Sequence, residues 1–292
     1  MNADSVKSVI NSQFVNGNPV NMHLKRWITA FVAIPFLVLL IGSGGALMFA
    51  VVVGAVCVIA IWEFFRIVPN KAESLNPFCF QLSAFIMGPA IIWAAYMNSF
   101  KSVLGLIALN LIVPALISLP KFKSDASVSE IVFKQVLCVI YIPLFLSYLV
   151  LIRNGDDGVA WTFFLLIIVF LGDTGAYYVG SYLGRHKLCP AVSPNKTIEG
   201  SLGGLAVNLC VGALFKFFFF PLLPWGLSIL FFLSIGVAGQ VGDLFESELK
   251  RVGNIKDSGV LLPGHGGVLD RIDALLFAAP AAYFFKEYIL TG

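Results

Sequence analysis

Charge is what this chain has least of. Only 12% of its 292 residues are Asp, Glu, Lys or Arg, where soluble domains average about 25%, so an ordinary water-facing globular surface is excluded. Cysteine is sparse and scattered: Cys57, Cys79, Cys138, Cys189 and Cys210 form no CxxC pair, which argues against a disulfide framework and for reduced, structural thiols. Histidine is sparser still. His23, His186 and His265 stand far apart, and only His186 with Cys189 has ligand-like spacing, so a zinc centre is disfavoured. No internal repeat or low-complexity tract is visible, and repeat-built transporter architecture finds no support.

What is present is apolar, at 59% of residues. Runs long enough to cross a hydrocarbon core of about 30 Å, on the order of 20 residues each, recur along the chain. About nine of them centre near Leu37, Val53, Phe85, Ile107, Tyr141, Leu166, Ala206, Leu230 and Phe277. The expected fold is therefore all-α, a polytopic integral membrane protein with about nine transmembrane helices. The opening MNADSVKSVINSQFVNGNPVNMHLKRW is polar for too long to be a signal-peptide n-region, and no small-residue cleavage site follows, so the first span is expected to be retained. This divides the chain into a cytoplasmic tail (1–26), amino-terminal helices (27–160) and a carboxyl-terminal catalytic region (161–292).

Cytoplasmic loops carry excess Lys and Arg. With the amino terminus inside and nine spans, all but four of the 19 basic residues fall on the cytoplasmic side; Lys101, Arg153, Lys216 and Lys286 fall opposite. The expected orientation is amino terminus in, carboxyl terminus out, in the plasma (inner) membrane.

The front half shows little chemistry. From Leu171 onward polar groups enter the spans, beginning with FLGDTGAYYVGSYLG, where Asp173 ends an apolar run. A carboxylate at mid-bilayer costs about 2.5–3.5 kcal/mol on insertion scales, so it needs a partner, a wet cavity or the interface. Gly172, Ala176, Gly180 and Gly184 recur every four residues and form a face on which another backbone can approach closely. In the next stretch, RHKLCPAVSPNKTIEGSLGG, Ser193 or Asn195 is expected to cap a helix, with Lys196 and exposed amides available to phosphate. Such basic residues are also ordinary topology signals. In GQVGDLFESELKRVG, Asp243 shares a helix face with Glu246 and Ser247, and Glu246 with Lys250 forms an i,i+4 pair, which a merely solvated helix would also show.

KDSGVLLPGHGGVLDRID follows, with Lys256, His265, Gly266 and Gly267 ahead of Asp270, Arg271 and Asp273. The glycines leave room for a ligand near the backbone. Carboxylates at the head of a span among several Lys and Arg have the composition of a magnesium and polyphosphate site. His265 could donate to phosphate, transfer a proton or stabilise a turn.

Ser247 to Asp273 resembles the signature of the CDP-diacylglycerol synthases, also called phosphatidate cytidylyltransferases. Ser247, Lys250, Arg251, Lys256, Asp257, Gly259, His265, Gly266, Gly267, Asp270, Arg271 and Asp273 fall in the places of that pattern. DTGAY at Asp173 to Tyr177 and SPNKTIEG at Ser193 to Gly200 are also similar to the family, with Asn195 where many relatives have a second lysine. Together these stretches cover about the last 120 residues; the front half agrees only in being apolar and polytopic.

The resemblance implies a reaction, CTP plus phosphatidic acid giving CDP-diacylglycerol and pyrophosphate, with Mg2+ as cofactor. It implies metal ligation by Asp243 and Asp270 and catalytic roles for these two with Lys250, Asp273 and Asp173. Substrate binding falls to Ser193, Lys196, Ser247, Arg251, Lys256, His265, Gly266, Gly267 and Arg271. A second cation is left open. The implied partners are CTP, phosphatidic acid, membrane lipid and a second copy in a homodimer, and no nucleic acid. Two other readings compete: a transporter, which would also use Asp173 but has no need of the loop cluster, and another membrane phosphotransferase, whose spaced aspartates on one helix are not found here.

Overall fold

A computed structural model describes residues 31, 33–68, 77–123, 125–259 and 266–290. In chain order the helices are α1 (Ala33–Gly42), α2 (Gly45–Ile67), α3 (Phe78–Tyr96), α4 (Phe100–Phe122), α5 (Val128–Val139) and α6 (Phe145–Asn154). They continue with α7 (Gly158–Leu183), α8 (Ile198–Phe219), α9 (Trp225–Val252) and α10 (Leu269–Phe285). A hairpin of β1 (Lys187–Cys189) and β2 (Ser193–Thr197) joins α7 to α8, antiparallel, with Lys187 opposite Thr197 and Cys189 opposite Ser193.

The protein is a polytopic all-helical membrane protein. Each of the nine expected centres lies in a helix or in the π turn between α5 and α6. Among the described residues, seven segments are long and apolar enough to cross a membrane: α2, α3, α4, α5 together with α6, α7, α8 and α9. The count falls below nine because α1 and α10, at Leu37 and Phe277, are shorter. One turn of π-helix, Ile140–Leu144, separates α5 from α6. It contains Pro143, which has no N–H to give to an α-helical ladder, so the local register widens there rather than breaking the span.

With α5 and α6 taken as one span, successive spans run in opposite directions, and cross-contacts fix which ends meet. Lys134, midway along α5, donates to the carbonyls of Phe65 and Val68 at the end of α2, and Gly253, just past α9, packs on the Ile67 carbonyl. At the opposite end Asn154 donates to the Tyr96 carbonyl at 2.9 Å and Arg153 to that of Ile41 at 2.9 Å. Inside, aromatic rings fill two levels. Tyr141 packs edge-on against Phe245 and Phe277, while Trp161, Phe164, Phe220 and Phe231 cluster toward the far end. Leu116, Leu119, Phe133 and Phe217 point outward and are exposed, as lipid-facing side chains must be.

The tightest contact is α7 against α8. Gly172, Ala176, Gly180 and Gly184 do form the face expected of them. A Cβ on Gly204 would lie 2.9 Å from the Gly172 carbonyl, and one on Gly200 would lie 2.8 Å from the Ala176 carbonyl and 3.0 Å from Gly180 Cα. Without a hydrophobic force between helices in lipid, such backbone proximity is what holds them together. All five cysteines are free, Cys57 and Cys138 being fully buried.

Candidate active site

The end of the bundle where α7 finishes, α8 and α10 begin and α9 finishes carries the polar groups. A cavity of about 580 Å³ opens there, lined by Asp173, Ala176, Tyr177 and Gly180 of α7, Asn195, Lys196 and Thr197 of the hairpin, Ser201 of α8, and Gln240 and Asp243 of α9. Why these residues meet follows from the packing. The small-residue face of α7 lets α8 approach, the hairpin folds back over the seam, and Asp173 and Asp243 come within electrostatic reach of each other. Lys196 closes the arrangement by pairing with Asp243 at 2.5 Å.

The hairpin corrects one expectation. Neither Ser193 nor Asn195 caps α8, because both lie in β2; Thr197 does so, its Oγ1 accepting the Gly200 N–H at 3.1 Å. Glu199 in the first turn accepts the Arg185 and His186 N–H groups and contacts His186 Nδ1 at 2.6 Å, which fastens the hairpin's entry to the helix it precedes. Arg251 donates from Nε to the Val192 carbonyl at 3.0 Å, fastening its tip.

Beside the cavity lies a buried ion-pair network. Lys250 sits between Glu246, its i,i+4 partner, and Asp270, whose Oδ1 it meets at 2.7 Å. Asp270 Oδ2 accepts N–H groups from Ser258 at 3.0 Å and Gly267 at 2.8 Å. Burial opposes the Asp270 charge, and the Lys250 and Gly267 hydrogen bonds compensate it. Asp273 lies within electrostatic reach of Asp243 and Asp173, and Arg271 within reach of Asp173. Five carboxylates (Asp173, Asp243, Glu246, Asp270 and Asp273) thus gather around three cations, Lys196, Lys250 and Arg271. Two polar atoms in this neighbourhood, Glu246 Oε1 and Tyr141 Oη, are buried without hydrogen-bond partners.

The residues singled out in the sequence sort into three places. Asp173, Lys196 and Asp243 line the cavity; Lys250, Asp270 and Asp273 form the buried layer next to it, with Ser247 also buried. Ser193 begins β2, while Arg251, Lys256 and Arg271 are exposed and do not line the cavity. Gly266 adopts φ +82°, where a side chain is strained and a Cβ would lie 2.7 Å from Asp270 Oδ2. His265 lies outside the described residues.

Sequence reasoning missed Gln240 and Ser201, hydrogen-bonded across the α8–α9 seam. It also missed Glu63 of α2, fully buried, which accepts N–H groups from Val268 at 3.0 Å and Leu269 at 2.7 Å. The signal for Glu63 was present, since it is an acid inside the apolar run of α2. A second, larger cavity of about 1160 Å³ lies at the other end of α7 and α8, beside Arg153, Asp157, Phe163 and Phe215. Gly158 and Asp173 are 15 residues apart on α7, roughly 22 Å at 1.5 Å per residue, so the two cavities are separate.

The profile of the Cytidylyltransferase family matches residues 24–289. A phosphatidate cytidylyltransferase of Bacillus subtilis is 35% identical over 260 residues, covering 86% of this chain and 93% of the relative. Phosphatidate cytidylyltransferases of Staphylococcus haemolyticus and Staphylococcus epidermidis are 45% identical over 143 residues and 38% identical over 176. These two matches cover 49% and 60% of this chain and 54% and 66% of the relatives.

Proposed function

The chain belongs to the cytidylyltransferase family, and from that premise we propose that it transfers a cytidylyl group from CTP to phosphatidic acid. The observation that carries the reading is the cavity at the α7–α8–α9 seam. It joins Asp173, Lys196 and Asp243 to the head of an apolar bundle, where a water-soluble nucleotide and a lipid headgroup can meet.

In the proposed reaction an oxygen of the lipid phosphate attacks the α-phosphorus of CTP. The new P–O bond forms as the bond to the β-phosphate oxygen breaks, and pyrophosphate leaves with that electron pair. Phosphate monoesters are largely ionised near neutral pH, so no strong general base is required. Lys196 and Arg271 face two anionic substrates that otherwise repel each other, and fixed cations aimed at charge that grows on the leaving group favour the transition state. Lys250 holds the Asp270 carboxylate in place.

A divalent cation is part of the proposal, and the surplus of carboxylates supports it. Five carboxylates outnumber the three cations around them, and Glu246 Oε1 and Tyr141 Oη are orphaned. Among the described residues no three His, Cys, Asp or Glu side chains form a ready metal-binding group. Magnesium suits such a site, because it typically takes one or two carboxylates and fills its octahedron with water and phosphate oxygens. Asp243 and Asp270 would hold it, and when bound it supplies neutralisation of phosphate charge.

Orientation in the inner membrane with the site facing the cytoplasm is part of this reading. It is supported by the charge bias: Lys134, Lys196, Lys250, Arg251 and Arg271 lie at the site end, and Arg153 and Lys216 at the other. The homodimer belongs to the same reading and is open to measurement of mass in detergent. The deciding experiment is pyrophosphate release by the detergent-purified protein given phosphatidic acid and magnesium, with CTP, ATP, GTP or UTP. Lipid-dependent release with CTP alone is expected; none from a monodisperse, folded sample across several phosphatidic acids would overturn the assignment.

A further inference from the structure

We infer that Glu63, in the apolar front half of the chain, is the positioning residue that sets Asp270 in the site. This deepens the functional reading above and rests on it for the role of Asp270. The geometry begins with a helix start that lacks its own cap. α10 opens at Leu269, and Val268 before it offers no side-chain acceptor. The first N–H groups of a helix need partners, and here they come from elsewhere: Glu63 Oε1 accepts from Val268 and Oε2 from Leu269. A carboxylate at this spot also meets the positive end of the helix dipole.

The same carboxylate reaches the other side of the signature loop. Ser258 Oγ donates to Glu63 Oε2 at 3.2 Å and accepts the Asp270 N–H at 3.4 Å, while the Ser258 N–H goes to Asp270 Oδ2. Glu63, Ser258 and Asp270 therefore form one chain of contacts, and both arms of the loop close on a single side chain. Two glycines of the signature are explained by it. A Cβ on Gly259 would lie 2.5 Å from Glu63 Oε1, and one on Gly267 would lie 2.6 Å from Oε2. These positions stay bare so that the backbone can reach the carboxylate.

Glu63 is itself held firmly. It lies one turn before the end of α2, where Lys134 ties the Phe65 and Val68 carbonyls and Gly253 packs on Ile67. The end of α2 is thus a fixed post, and misplacement of a catalytic group by about 1 Å can cost on the order of 100-fold in rate.

The test compares full-length wild type, Glu63→Gln and Ser258→Ala in detergent by two readouts. The first is amide hydrogen exchange across Ser258 and Gly267 to Asp270 without substrate; the second is kcat and KM for CTP. Glu63→Gln keeps the size but turns donors toward donors. Expected are exchange at Val268 and Leu269 at least about tenfold faster and kcat lower by about 10- to 100-fold, with KM for CTP within about threefold. Ser258→Ala moves in the same direction by less, and decides the matter if Glu63→Gln does not fold. Wild-type kcat and KM in the folded variants would overturn the inference whether or not the amides exchange faster. So would an activity loss that only tracks the unfolded fraction. A wild type inactive with CTP would instead overturn the functional reading, while exchange still reports whether Glu63 holds the loop.

Discussion

Lys250→Met tests the buried network most directly. Lys250 is 11% exposed at its side chain, between Glu246 at 0% and Asp270 at 7%. Removing one member of a buried ion pair typically costs 3–5 kcal/mol, because the partner stays buried and unpaired. Asp270 would keep two N–H donors, from Ser258 and Gly267. Glu246 would lose its ion-pair partner, and its Oε1 already has no hydrogen-bond partner. Most of the penalty therefore falls on Glu246, and a loss of about 3–5 kcal/mol corresponds to roughly 100- to 4000-fold in the folding equilibrium. The second half of the prediction is a rescue. Glu246→Gln in the Lys250→Met background removes the stranded charge and is expected to restore at least about 1 kcal/mol, a non-additivity of the size seen between contacting residues. Denaturant unfolding in mixed micelles, followed by tryptophan fluorescence, gives both values. A Lys250→Met variant within about 1 kcal/mol of wild type, or a double variant no more stable than the single, would refute the reasoning.

Two further outcomes follow from the same geometry. Asp243→Asn is expected to lower pyrophosphate release at least about 100-fold. Its unfolding midpoint should barely move, because the Lys196 pair it breaks is 27% and 32% exposed and pairs of that kind contribute about 0–1 kcal/mol; full activity in the purified variant would end its proposed role. Gly200→Val drives methyl groups toward the Ala176 carbonyl and Gly180 Cα, with an expected loss of about 1–3 kcal/mol and lower turnover as Asp173 separates from Lys196. Unchanged unfolding would show that the α7–α8 seam is looser than its geometry.

Much of this architecture was legible in the sequence because membrane helices announce themselves by length and apolarity alone. The four-residue rhythm of Gly172, Ala176, Gly180 and Gly184 gave away the α7–α8 seam for a similar reason: only small residues permit that approach. Glu246 with Lys250 was readable from helix periodicity. The third member, Asp270, comes from another helix, and its contact depends on how α9 and α10 cross. The hairpin escaped notice because its strands are only three and five residues long, with no apolar alternation to betray them. Glu63 showed itself only as an acid inside an apolar run; its partners, two backbone N–H groups and the Ser258 hydroxyl, lie 195 to 206 residues away and leave no local pattern.

The Glu63 contact also has a history in time. Its partner Leu269 lies 206 residues further along, and a ribosome adding about 5–20 residues per second needs roughly 10–40 s to make that length. During that interval α2 is already made, carrying an acid with no loop to receive it. Glu63 stands four residues from the end of α2 rather than at its middle. The N–H groups it accepts arrive only with α10, so the signature loop can be fastened to Glu63 only after α2 has been made.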